Sequence, residues 1–277
     1  MRCCGCADTG RAGHPAVGPG DQPMIASLMM YQRPQLADAH DNYWTLIRKN
    51  LLAAGIDSPP SLSQQADEMS VWTDPELVLS QTCGLPYRTQ LHHRVSLIGT
   101  PDFGIEGCAP GYYRSAIVVR RSDRRTRLSD FRDAVFAYNQ TGSQSGYAAP
   151  CWHVGAHGFW FENRQATGGH LNSARAVAEG RADLAALDAV SWRLMQTYKP
   201  FCGELKVLDW TTPTPGLPYI SAANANQPAM FQAVRQAIRD LTGEDRCALG
   251  LRDLVYIGKH SYLAVPTPEQ PESESDE

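Results

Sequence analysis

The stretch "NQTGSQSGYAAP" at residues 139–150 places Ser143, Gln144 and Ser145 between Gly142 and Gly146, directly after the apolar run "AVFAY". Two hydroxyls, a carboxamide and a glycine-freed backbone, with no lysine or arginine among them, suit a tetrahedral oxyanion held by neutral donors. The same residues suit a helix N-cap, in which Ser143 or Ser145 accepts a backbone N–H. A second glycine-rich turn, "TGGHLNSARAV", sets His170 behind Gly168 and Gly169 at a helix start. Its imidazole is either a donor to a ligand or an ordinary structural histidine. In "DLAALDAVSW" a strand ends at Asp188, which either caps the next helix or faces a cleft as an acceptor. A cleft-facing Asp188 requires a ligand that carries a donor, an amine or a protonated oxyanion oxygen, and repels fully deprotonated sulfate.

Opposing groups come from other strand ends. "MMYQRP" offers Tyr31, as a ligand contact or a packed aromatic. "VLSQTCG" offers Ser80, Gln81 and Thr82. Cys83 follows at once, and with His92, His93 or His170 as base it makes an enzyme the rival reading, because thiolate chemistry needs an adjacent imidazole. No G-x-S-x-G elbow, phosphate-gripping G-x-x-x-x-G-K-[ST] loop or H-E-x-x-H helix accompanies it.

The elements that must position these groups read as short apolar strands alternating with helices. Strand candidates are "IASLMMY", "LVLSQ", "VSLIGT", "SAIVVR", "AVFAYN", "DLAALD" and "LKVLDW"; helices are expected over 37–54, 171–179 and 228–241. "SGYAAPCWHV" reads as the start of a further helix. In the 171–179 segment Leu171, Ala174, Val177 and Ala178 share a face, and Gly180 stands where the helix should stop. Such alternation predicts α/β architecture with parallel sheets. "PGYYRSAIVV" and "TPTPGLPYI" look like two chain crossings around a central lobe. The expectation is two α/β lobes joined by a hinge, residues 24–112 plus 212–265 forming one and 113–211 the other. Residues 1–23 read as a disordered leader and 266–277 as a disordered acidic tail.

With 277 residues, 43% of them hydrophobic, and a net charge of −4, the chain can bury a core for two lobes and carries no basic stripe for nucleic acid. "RRSDRRTR" at 120–127 reads as a solvated connection. The leader lacks the apolar core of a secretory signal, Met24 is a candidate start, and the chain as written would stay in the cytoplasm. The eight cysteines form no paired C-x-x-C units, so neither a metal nor a cofactor is expected, and "CCGC" in the leader reads as incidental. A Cys83–Cys108 disulfide is conceivable.

Taken together, "SLMMYQRP", "SQTCG", "YYRSAIVV", "NQTGSQSGY", "TGGH" with "SARAVAEGRADLAALD", and "TPGLPYI" resemble the phosphate/phosphonate substrate-binding proteins of ABC transporters, over residues 24–265. The resemblance implies a type 2 periplasmic-binding-protein fold, a periplasmic setting and a monomer that hands its anion to a permease. By the same resemblance Ser143, Gln144 and Ser145 hold the phosphoryl-type oxygens and His170 donates. Asp188 receives an amine or acidic proton and Tyr31 closes from the opposite lobe, with Gln81 and Thr82 as less clearly matched contacts. "SQTCG" departs from the aromatic or proline-bearing turn expected there. The alternative is a cytoplasmic sensor or enzyme on the same fold, acting on a small phosphorylated metabolite and using Cys83.

Overall fold

Two five-stranded sheets, each packed with helices, make up the computed structural model, which describes residues 23–269. The first sheet runs in the order Ile25–Ser27, Leu77–Gln81, Tyr219–Ala222, Val95–Asp102, Asp253–Val255. The second runs Arg164–Ala166, Phe136–Tyr138, Leu184–Asp188, Ser115–Arg120, Leu205–Trp210. Between them the chain crosses twice, at Tyr112–Tyr113 and Thr214–Pro215, and the two crossings pair antiparallel. No helix among the described residues is long and apolar enough to cross a membrane.

The parallel sheets expected from the alternation are in fact mixed. Strands linked by helices do run parallel, Ile25–Ser27 with Leu77–Gln81 and Phe136–Tyr138 with its neighbours on both sides. Tyr219–Ala222 and Ser115–Arg120 instead lie antiparallel to the strands on both sides of them. Each enters its sheet straight from a crossing, with no helix to turn the chain around, so it pairs in the opposite sense.

Helices follow the apolar periodicity closely. Ala37–Ala53 buries Ala39, Tyr43, Trp44, Ile47 and Leu51 on one face. Gln227–Asp240 buries Met230, Ala233, Val234, Ala237 and Ile238, starts at an Asn226 cap with Pro228 in its first turn, and packs in the same core. His170–Ala178 ends before Gly180 at φ 77°, a left-handed stop that suits glycine. In the second lobe Phe136 and Phe161 stack at 4.9 Å within a separate core cluster.

Three expectations are corrected here. The basic run is stitched to the fold, not merely solvated: Arg120 and Arg125 both pair with Asp183, and the Arg125 guanidinium lies 3.9 Å from the Phe131 ring centre. Cys83 and Cys108 are free thiols. At the proposed tail, Pro266 O and Thr267 Oγ1 accept hydrogen bonds from Arg88, so the first residues of that segment lie against the fold. The rest of the tail, from 270, and leader residues 1–22 with Cys3, Cys4 and Cys6 lie outside the described residues.

Where the crossings meet, Gly216 N–H donates to Gly111 O at 2.8 Å, and a Cβ on Gly216 would lie 2.7 Å from that oxygen. The neighbour is backbone and cannot swing aside. Gly216→Ala is therefore expected to destabilise the chain by about 1–3 kcal/mol, the usual cost of overpacking, read from the urea unfolding midpoint.

Candidate functional site

Ser143 ends the loop after Phe136–Tyr138 and caps the next helical segment: its Oγ accepts Gly146 N–H at 3.0 Å. That segment opens with a wide turn over Gln144–Ala148 before tightening into a helix at Ala149–Gly155. The cap leaves the next hydroxyl for other work. Ser145 Oγ lies 3.0 Å from His170 Nε2, while Ser145 O is fixed by Ser115 Oγ at 2.9 Å. Gly146 allows this closeness, since a Cβ there would sit 1.9 Å from Asn139 Oδ1 and 3.3 Å from His170 Cε1.

Burial, and secondarily the Arg33 guanidinium, lowers the His170 pKa to about 4. The imidazole is therefore neutral across the physiological range and supplies one N–H donor in either tautomer. An unfolded histidine takes its proton near pH 6.5, so between pH 6.5 and 4 the unfolded chain binds more protons than the folded one. His170's contribution to stability is thus complete above pH 6.5 and is lost as the pH falls toward 4. In an NMR titration the His170 ring resonances are expected to hold still down to about pH 5; a midpoint near 6.5 would contradict the burial argument.

Asp188 does both things the sequence left open. Its Oδ1 accepts Ser191 N–H at 2.8 Å, capping Ala189–Tyr198, and its Oδ2 accepts the Tyr31 hydroxyl at 2.9 Å. Burial raises its pKa, and the Ser191 N–H, the Tyr31 hydroxyl and Arg33 oppose that rise. Tyr31 belongs to the first lobe, packs edge-on against Phe103 at 5.0 Å, and stays protonated because burial and the neighbouring Asp188 disfavour its phenolate. This hydrogen bond joins the two lobes across the cleft.

The resulting cleft has a volume of about 190 Å³ and is lined by Tyr31, Ser143, Ser145, His170 and Asp188, together with Arg33, Glu68 and Cys83. At roughly 30 Å³ per water in the liquid, that is room for about six waters, the scale of a phosphorus oxyanion with a small substituent.

Three predicted contacts sit elsewhere. Gln144 turns its carboxamide away from the cleft, where Oε1 accepts from Arg88 Nη1 at 2.6 Å. Gln81 Nε2 donates to Leu217 O at 3.1 Å, and Thr82 is buried with its N–H on Pro218 O. Both belong to the strand end and the framework around it, outside the lining of the cleft. The sequence reading also expected a site without cations, whereas Arg33 lines it. Its signal was visible in "MMYQRP", two positions after Tyr31. Cys83 does reach the cleft, but its Sγ accepts Gln144 N–H at 3.4 Å and burial pushes its thiol pKa up, leaving a protonated, weak nucleophile.

Residues 90–263, more than half of the chain, match the family model described as ABC transporter, phosphonate, periplasmic substrate-binding protein. The chain belongs to this family of transport substrate-binding proteins. No curated protein matches the sequence. Among solved structures, PhnD1 from Prochlorococcus marinus in complex with methylphosphonate superposes with a TM-score of 0.63 at 15% identity, covering 86% of this chain and 94% of that one. A binding-protein component of an ABC phosphonate transporter from Pseudomonas aeruginosa gives 0.61 at 18% identity, covering 88% and 84%. A Xanthomonas citri protein bound to ATP gives 0.65 at 16% identity, covering 86% and 92%. The substrate-binding protein thus has the two-lobe periplasmic-binding-protein fold, with its polar cleft where the lobes face each other.

Proposed function

We propose that this substrate-binding protein captures a small phosphorus oxyanion, phosphate, phosphite or a phosphonate, between its lobes and delivers it to an ABC-transporter permease. The observation that carries the reading is the convergence of Ser145, His170, Tyr31 and Asp188, from both lobes, on one cleft of about 190 Å³. Ser145 Oγ donates to an oxyanion oxygen while the single N–H of the neutral His170, at Nε2, donates to Ser145 Oγ and fixes its direction, and Arg33 supplies the charge that the turn itself lacks. Asp188 accepts the acidic proton of a monoprotonated ligand or the amine of an aminoalkyl phosphonate, which selects against sulfate. Ligand contacts from Tyr31 favour the closed arrangement, because only the closed state makes them.

A thermal-shift panel tests this. A ligand at a hundredfold excess over its Kd stabilises the folded state by about 2.7 kcal/mol. For a chain of this size that is a rise of roughly 5 °C or more in Tm. Phosphate, phosphite, methylphosphonate and 2-aminoethylphosphonate are the candidates, and at least one is expected to produce the shift while sulfate does not. No shift with any of the four, or an equal shift with sulfate, would count against the proposal.

A further inference from the structure

Outside the lining of the cleft, His153, His157 and Asp209 bring three ligand atoms within 4.8 Å of one another. His153 lies in the helix Ala149–Gly155 and Asp209 on the strand Leu205–Trp210. The backbone keeps turning beyond the helix, with His157 N–H on Val154 O, so the four-residue spacing puts both imidazoles on one side. His153 Nε2 and Asp209 Oδ2 are 2.8 Å apart, and the two imidazole rings meet edge-on at 5.7 Å.

We propose that these three side chains form a binding site for a divalent first-row transition ion of the zinc type. Two imidazoles at helical spacing with one carboxylate are a donor set of that class, leaving positions for water. A histidine–aspartate pair alone would need no third group, yet His157 converges on it. Bonds of about 2.0–2.1 Å in tetrahedral geometry put ligand atoms roughly 3.3 Å apart. The His153–Asp209 pair therefore opens by about 0.5 Å to admit the ion, and the exposed His157 swings in to complete the set. Both partners of the pair keep a face to solvent, with side-chain exposures of 17% for His153 and 42% for Asp209, so an ion has a way in.

The ion would tie the helix that continues from the Ser143–Ser145 turn to the strand that leads into the second crossing. It would brace the second lobe at a point outside the cleft lining, without touching the oxyanion. The sequence offers no C-x-x-C signal for this site, because Asp209 stands more than fifty residues after the two histidines and meets them only in the fold.

The test is a calorimetric titration of the full chain with Zn²⁺, carrying Cys3→Ser, Cys4→Ser and Cys6→Ser so that the thiols of "CCGC" do not compete. One Zn²⁺ per chain is expected. Affinity should fall by at least the ~10–100-fold that loss of even an outer-shell partner costs, separately in His157→Ala and in Asp209→Asn. His157→Ala removes an exposed side chain and should leave Tm without metal unchanged, which separates loss of the site from loss of the fold. X-ray absorption should show only nitrogen and oxygen at about 2.0–2.2 Å, without sulfur at about 2.3 Å. Absent binding, binding indifferent to both substitutions, or a sulfur-containing shell would overturn the assignment.

Discussion

Ser145→Ala is expected to weaken binding of the most stabilising phosphorus oxyanion by about 10–100-fold in a calorimetric titration. The Ser145 hydroxyl lies 3.0 Å from His170 Nε2 and lines the cleft. A hydrogen bond to a charged group contributes about 1.5–3 kcal/mol, and each 1.4 kcal/mol is tenfold in affinity. Ser143→Ala is expected to behave differently. Ser143 Oγ is committed to Gly146 N–H, so its loss appears first as about 1 kcal/mol of stability, the usual cost of a lost N-cap. Equal affinity losses in the two variants would show that the turn does not divide its work in this way.

Asp188→Ala is expected to lower stability by about 2–4 kcal/mol in chemical denaturation. The substitution removes the cap on Ser191 N–H, worth about 1 kcal/mol, and strands the buried Tyr31 hydroxyl, at about 1–3 kcal/mol. Asp188→Asn separates structure from recognition. Its amide oxygen still caps the helix, and its NH₂ can donate to the Tyr31 oxygen, so the fold persists while the acceptor for the ligand's proton or amine is gone. Burial holds the Asp188 pKa up. A raised carboxyl pKa favours the folded state at low pH and loses that contribution as pH rises through the folded-state pKa, opposite in sign to His170. Asp188→Asn should remove this component and leave the acid destabilisation from His170 in place, as measured by Tm against pH. Tyr31→Phe keeps the cap and breaks only the bridge between lobes, so its cost should stay within about 1–3 kcal/mol.

The strand cores and the three long helices were legible because the apolar residues fall at the right period, as in Met230, Ala233, Val234, Ala237 and Ile238. Tyr31, Ser143, Ser145, His170 and Asp188 were legible as site candidates because each stands at a strand end or helix start, and the structure gathers all five at one cleft. Sequence could not separate capping from ligand contact, because both ask for a short polar side chain at a helix start. Ser143 caps, Ser145 does not, and Asp188 does so with one oxygen only. Gln144 looked like part of the cradle from its neighbours, yet a residue beside a cleft residue can point the other way, and Arg88 holds it there. The strand Tyr219–Ala222 was hidden because "TPGLPYI" reads as a proline-rich crossing, and its antiparallel sense depends on where the chain comes from. Glu68 lines the cleft without any local motif, so only the packing of the lobes reveals it, whereas Arg33 stands in "MMYQRP", two positions after Tyr31.

The central claim, that this cleft holds the oxyanion, is met most directly by a crystal structure of the chain with methylphosphonate. Phosphorus density is expected between Ser145 and Asp188, with a phosphonate oxygen within about 2.7–3.2 Å of Ser145 Oγ and Tyr31 bearing on the ligand from the first lobe. Methylphosphonate bound at another surface, with water alone between Ser145, His170 and Asp188, would contradict it.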